Sequence, residues 1–235
     1  MSERGTRPAA PDHPELDRPA LDHSELDTVI FDIGGVLIDW NPRHLYRQLF
    51  DDEPAMERFL SEVCDSQWNE QQDAGRPWDE AIRLRSAEFP EHAALIAAYR
   101  MRWDEMLRGP VHDSVAIVDE LRARGVRLYA LTNWSQETFP LAFERYPFLR
   151  AFEGIVVSGQ ERLIKPDPAI FHLLLHRYGI HPERAVFIDD ATRNVDAAAK
   201  LGMYALRFRD PVALRTELVA LGLLDAAAPE ARQHG

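Results

Sequence analysis

The stretch "TVIFDIGGVLIDW", Thr28 to Trp40, decides the fold of this chain. It opens as an apolar run, Val29 to Asp32, that stops on an acid, and it then passes two consecutive glycines, Gly34 and Gly35, before apolar residues resume. A continuous apolar run of this length is the mark of a strand buried on both faces. An acid at its end is either a turn residue or a group set at the carboxyl edge of a sheet, where open α/β folds bind their ligands.

Further runs of the same kind lie at Arg127 to Thr132, Gly154 to Ser158, Ala185 to Asp189 and Tyr204 to Phe208. Helical patterns separate them. One starts near Asp113 and Ser114, turns Val115, Val118 and Leu121 inward, and stops at Gly125, which suits the left-handed position after a helix. A second opens within "KPDP", with Asp167 as cap and Pro168 in the first turn, and places Ile170, Leu173 and Leu174 on one face. A third runs from about Arg193 to Leu201 before Gly202, and a fourth repeats the cap-then-proline signal at Asp210 and Pro211. Apolar strands joined by helical crossovers predict an α/β fold, a parallel sheet with helices on both faces.

Residues 41–110 break that rhythm. They carry helix signals only, starting at Asn41 and Pro42, continuing through Met56, Phe59, Leu60 and Val63 at i, i+3, i+4, i+7, and ending with Ile96, Tyr99, Trp103 and Met106. The expected organisation is a core over 28–40 and 111–225 with an all-helical cap over 41–110 above the ligand edge. Trp68, Trp78 and Trp103 are assigned to the interior of that cap, as is Cys64, whose solitude excludes an internal disulfide. Residues 1–27, rich in Pro, Asp and Glu and echoing "DHPELD" as "DHSELD", predict a disordered tail, and 226–235 a flexible one.

The 235 residues, 46% of them hydrophobic, hold a net charge of −12 with 27 scattered Lys and Arg, so no basic surface for nucleic acid is expected. No window approaches the roughly 20 apolar residues that span a bilayer, and the amino terminus lacks the layout of a secretory signal. A soluble cytoplasmic protein without membrane or nucleic-acid partners is predicted, with nothing to select between a monomer and a homodimer.

The strand ends gather the chemistry. Asp32, Thr132 with Asn133, and Asp189 with Asp190 fall on one sheet edge, and Lys165 falls on the loop leaving the Ser158 strand. Together they suit phosphoryl transfer through an aspartyl phosphate, since a carboxylate attacking an anionic phosphate needs its charge neutralised first. Lys165 and a divalent cation supply that neutralisation. Asp189 and Asp190 offer the hard oxygens Mg²⁺ prefers, Thr132 and Asn133 offer neutral donors to phosphate oxygens, and Gly34 and Gly35 let the main chain approach metal and phosphate.

"FDIGGVL", "LTN", "IKPDP" and "FIDDATRNVDAA" resemble, in order and approximate spacing, the four motifs of the haloacid dehalogenase-like hydrolase superfamily. The resemblance implies a Rossmann-like core, a helical cap inserted after the first motif, Asp32 as nucleophile, Thr132 as phosphate ligand, Lys165 as charge stabiliser and Asp190 as metal ligand, with Asp189 and Asn194 supporting it. "GGVLIDWNP", "LTNWS" and "IDD" are similar to the subgroup of sugar-phosphate phosphatases and the phosphatase domain attached to some epoxide hydrolases. A Mg²⁺-dependent phosphatase of a small phosphorylated metabolite is therefore implied.

One position departs from the pattern. Gly34 stands where most phosphatases of the superfamily carry a second Asp that protonates the leaving alcohol. Its carbonyl remains for Mg²⁺, but acid–base help, worth roughly 10²–10⁴ in rate, is missing. Some members resembling the subgroup share this glycine and are phosphatases. The departure favours good leaving groups, or a proton from water or the substrate. Two alternatives use the same residues. A 2-haloacid dehalogenase attacks carbon with Asp32 and needs no metal; the Asp189–Asp190 pair opposes it, as does Val36 where dehalogenases resemble "YGT". A non-catalytic binding protein of this fold is favoured by the missing acid and opposed by Asp32, Lys165 and the acid pair. Arg43, His44 and the loop "DAGRPW", Asp73 to Trp78, are expected over the substrate when a lid closes. His172 and His176 are assigned to a solvated helix face rather than to zinc, and Asp39 to the turn into the cap.

Overall fold

Strand β1 (Thr28–Phe31) is buried at every position, and alternation along it assigns its side chains to two different cores. Val29 and Phe31 join one apolar cluster and Ile30 the other, the period-two geometry of a strand in the middle of three layers. The computed structural model describes residues 25–226. The expected tails over 1–24 and 227–235 lie outside them. Asp27, assigned to the tail from composition, belongs to the fold: its carbonyl accepts from Arg127 N at 2.9 Å and its carboxylate pairs with Arg184 at 2.5 Å.

After β1 the chain forms β2 (Ile38–Trp40) and helices α1 (Arg43–Tyr46), α2 (Glu53–Glu62), α3 (Ser66–Asp73), α4 (Trp78–Glu88) and α5 (Ala93–Met101), then returns through β3 (Leu107–Pro110). Next come α6 (His112–Ala123), β4 (Arg127–Thr132), α7 (Phe139–Arg145), β5 (Gly154–Val157), α8 (Ser158–Glu161) and α9 (Pro168–Tyr178). The chain finishes with β6 (Ala185–Asp189), α10 (Thr192–Lys200), β7 (Tyr204–Arg207) and α11 (Pro211–Ala220). The five-stranded sheet has the order β5-β4-β1-β6-β7, every neighbour parallel. In chain order its strands read 3-2-1-4-5, the Rossmann-like arrangement whose switch point lies between β1 and β6.

Helices α6 and α11 cover one face through Ile117, Val118, Leu121, Leu214 and Leu218. Helices α9 and α10 cover the other through Ile170, Phe171, Leu174 and Ala198. Asp167 caps α9 by accepting from Ala169 N, and Asp210 caps α11 by accepting from Ala213 N; Gly125, Gly179 and Gly202 take positive φ where helices end. Val115 and Leu173, expected inside, are only half-buried, and Ile117 and Phe171 fill their places.

The segment between β2 and β3 is helical, but its stem is not. β2 and β3 form an antiparallel ribbon, Ile38 opposite Pro110 and Asp39 opposite Gly109, which the sequence reading lacked because three- and four-residue strands show too little alternation to register. The long helix expected through Met106 ends at Met101 and is followed by a 3₁₀ turn, Trp103–Met106. Inside the segment Trp68 and Trp78 pack around Tyr99 with ring centroids 5.2 and 5.5 Å away. This aromatic knot is continuous with the sheet's first cluster. No helix among the described residues is long and apolar enough to cross a membrane.

Candidate active site

The carboxyl ends of β1, β4 and β6 meet under the inserted helices. Asp32 directly follows β1, and its own N–H still bonds Ile188 O of β6 at 2.8 Å, so the ladder fixes its direction. Its Oδ1 accepts from Ile33 N at 2.7 Å and lies 3.0 Å from Lys165 Nζ. Lys165 is wholly buried, and its three N–H donors are all used: on Asp32, on Asp189 Oδ2 at 2.7 Å and on Leu131 O at 2.7 Å. Asn133 holds the lysine's backbone from both sides, donating to Lys165 O at 3.0 Å and accepting from Lys165 N at 2.9 Å. Asn133 thus joins the loop after β4 to the loop carrying Lys165.

Asp189 is fully buried. Its Oδ1 accepts from Ala191 N at 2.9 Å, at the amino end of α10, and the Asn194 amide lies 3.0 Å from both its oxygens. Asp190, the next residue, points to the surface of a cavity of about 710 Å³ that Asp32, Gly34, Gly35, Asn133 and Asn194 also line. Thr132 lies beneath, and its buried hydroxyl has no hydrogen-bond partner; nor has Asn194 Oδ1. Both atoms are free to bond a ligand or a water at this edge.

The electrostatics are set by burial. Burial pushes the Asp32 carboxyl up, to about 7, against the pull of Lys165 and with the help of Asp189 and Asp190. Burial opposes the charge on Lys165, but Asp32 and Asp189 more than offset it, and the ammonium sits above its ordinary value. Burial and then Asp189 raise Asp190.

The donor set fits a divalent cation. Asp32, Asp189 and Asp190 present carboxylate oxygens within 4.8 Å of one another, and three ionised carboxylates around one ammonium leave a formal charge of −2. Gly35 completes the cradle: at φ +76° it has no Cβ, and one built there would lie 2.7 Å from Asp190 Oδ2. Hard oxygens and this charge match Mg²⁺.

Of the residues expected near substrate, Arg43 and Asp73 line the cavity. Arg43 is clamped by Glu57 through two bonds of 2.6 Å. His44 instead bonds Asp39 at 3.0 Å, which explains Asp39 as part of the turn into the inserted helices. Cys64 is buried, and burial pushes its thiol up to about 12, away from the thiolate form. His172 and His176 are exposed. Trp103 is buried, yet it also lines the cavity and packs on Trp134 at 5.4 Å. Trp134 and the pair Ser135 and Glu137, which hold Trp78, carry no sequence signal because they sit in an irregular loop, where no periodicity marks a residue.

This architecture, a Rossmann-like sheet with its acidic edge beneath an inserted helical segment, defines a class of hydrolase. A family model described as haloacid dehalogenase-like hydrolase matches residues 26–202, and the chain belongs to that family. The sesquiterpene phosphatase astK of Aspergillus oryzae is 29% identical over 80% of this chain and 93% of its own. The phosphorylated carbohydrates phosphatase of Thermotoga maritima is 24% identical over 76% and 82%. Among solved structures, a HAD family enzyme of Bacteroides thetaiotaomicron in a magnesium complex superposes with a TM-score of 0.62 at 20% identity, covering 79% of this chain and 94% of that one. At that identity the likeness speaks for the fold.

Proposed function

We propose that the protein is a Mg²⁺-dependent phosphohydrolase that cleaves a small phosphorylated metabolite through an aspartyl phosphate on Asp32. One observation carries the reading: the buried Lys165 ammonium grips Asp32 and Asp189 at 3.0 and 2.7 Å while Asp190 faces the cavity beside them. That is a nucleophile held beside a fixed positive charge, with room for a phosphoryl group above. The phosphatases among its relatives support the same chemistry.

Asp32, Asp190 and the Gly34 carbonyl would hold Mg²⁺, with Asp189 committed to Lys165 and Asn194. The ion supplies charge neutralisation for the phosphoryl oxygens. Asp32 attacks phosphorus with its free oxygen. Lys165 holds Asp32 in line and disperses charge, and the Thr132 hydroxyl and the Asn133 region supply neutral partners to the remaining oxygens. The aromatic upper wall, with Trp40, Tyr99, Trp103 and Trp134, accepts an organic group of metabolite size.

A panel of phosphorylated sugars, acids and isoprenoid alcohols assayed for free phosphate with Mg²⁺ tests this, with Asp32→Asn as the blank. Phosphate release that needs Mg²⁺ and vanishes in Asp32→Asn is expected. Equal turnover by the variant overturns the mechanism, and halide release from 2-haloacids with EDTA present would assign the site to dehalogenation.

A further inference from the structure

The first motif leaves a gap. Gly34 carries no acid, and a Cβ built there meets nothing within 4 Å, so the space a side chain would fill is open to the cavity. We propose that Asp73, at the last turn of α3, reaches that cavity and does the proton transfer that position 34 lacks. The inference rests on the phosphatase reading above.

Three observations single Asp73 out. First, its place is fixed against the core rather than free with the inserted helices. Its carbonyl accepts from Ser158 Oγ at 2.5 Å, and Ser158 in turn receives Trp134 N at 2.9 Å. Just beyond, Gly75 at φ +102° passes so close that a Cβ would lie 3.2 Å from Gly159 O. Second, the other carboxyls lining the cavity are spoken for. Asp65 caps α3 through Trp68 N and pairs with Arg85 at 3.5 Å; Glu70 pairs with Arg193; Asp32 and Asp190 belong to the cation group. Among the described residues no cation pairs with Asp73, whose carboxyl accepts from two neutral donors, the Asn69 amide at 2.9 Å and the Ser135 N–H. Third, the remaining protonated groups in the wall hold their protons too tightly: burial pushes Cys64 to about 12 and Tyr99 far above its usual value.

Burial raises the Asp73 carboxyl to about 7, helped by Glu70 on its own helix and by Asp32 across the cavity, and opposed by the Ser135 N–H from the loop after β4. An acid of that strength exchanges its proton near neutral pH. In the first half-reaction Asp32 forms its bond to phosphorus, the ester P–O bond breaks, and Asp73 gives its proton to the departing alkoxide. In the second the Asp73 carboxylate takes a proton from water as the water oxygen bonds phosphorus and the aspartyl P–O bond breaks. Asp73 is then protonated again and Asp32 is a free carboxylate.

The test compares wild type, Asp73→Asn and Asp73→Glu on alkyl phosphates and on p-nitrophenyl phosphate, whose leaving group needs no proton. Asp73→Asn is expected to lower kcat/KM on alkyl phosphates roughly 10²–10⁴-fold while leaving kcat/KM for nitrophenolate release, which reports the first half-reaction alone, within a few-fold; its kcat falls on both substrates, because hydrolysis of the aspartyl phosphate has lost its base. Its alkyl-phosphate kcat/KM should also lose the limb that falls as pH rises through about 7 in the wild type. Asp73→Glu should restore part of the rate. Equal losses of kcat/KM on both substrate types, or no loss on the alkyl esters, in a variant with wild-type melting temperature overturns the assignment alone. A wild-type protein that releases phosphate from neither overturns the phosphatase reading, and the assignment with it.

Discussion

A single buried lysine holds the acidic sheet edge together. Lys165 satisfies three acceptors at once, so removing its charge strands Asp32 and Asp189 in a low-dielectric interior. Lys165→Met should cost about 3–5 kcal/mol of stability, the usual penalty for breaking a buried pair from one side, measured by urea unfolding in EDTA. Gly35 makes a second residue-level claim. Gly35→Ala must place a Cβ 2.7 Å from Asp190 Oδ2 at φ +76°, a strain of about 1–2 kcal/mol from the backbone alone. By displacing Asp190 it should weaken Mg²⁺ binding roughly 10–100-fold, the effect of losing a group that orients a ligand, read by calorimetric titration. Asp32, Asp189 and Asp190 were legible because each ends or follows an apolar run, which fixes where it lies in a parallel sheet; Lys165 was legible from its loop and the "IKPDP" motif. Asp73 was visible only as part of a loop, since no spacing rule says that the end of α3 reaches back over the first strand.

At the scale of elements, the helical insertion is fastened to the sheet by side chains whose partners are remote in sequence. Trp78 gives its indole N–H to Ser135 Oγ at 3.1 Å and its backbone N–H to Glu137 at 3.0 Å. Ser158 ties the Asp73 carbonyl to the loop after β4. Ser158→Ala leaves a half-buried carbonyl and a buried N–H without that hydroxyl and should cost about 1–3 kcal/mol, seen as a lower urea midpoint with an unchanged slope. The helices themselves were readable, because caps such as Asp167 and Asp210 and terminal glycines such as Gly125 punctuate them. The ribbon of β2 and β3 was not. Its pairing joins residues some seventy positions apart in strands of three and four residues, and only the closed fold makes that register favourable.

For the whole molecule, charge crowding at the sheet edge makes stability depend on pH and on the cation together. Asp32 and Asp73 both titrate near 7 in the fold, far above their ordinary value of 3.8. The folded state therefore binds more protons than the unfolded one between those limits, and metal-free protein should lose stability as pH rises from about 4 to about 7. Lys165 titrates above this window and does not change the sign. On the proposed reading Mg²⁺ would relieve the same repulsion, so its stabilising shift in Tm should be larger at pH 8 than at pH 5 in calorimetric scans. A cation that raises Tm equally at both would contradict this charge balance. The parallel sheet and its covering layers followed from alternating strand and helix patterns, while the aromatic knot of Trp68, Trp78 and Tyr99 depends on side chains from three separate helices.

The strand order has a consequence for synthesis. β1 is the central strand, yet its first neighbour, β4, begins at Arg127, about a hundred residues later in the chain. On the ribosome, the central apolar strand of the sheet emerges first and waits, bare on both sides, while the whole helical insertion is translated. Pairing so distant in sequence folds slowly and leaves sticky edges in the meantime, so the nascent chain is exposed to chaperones and to its neighbours on the polysome until β4 arrives.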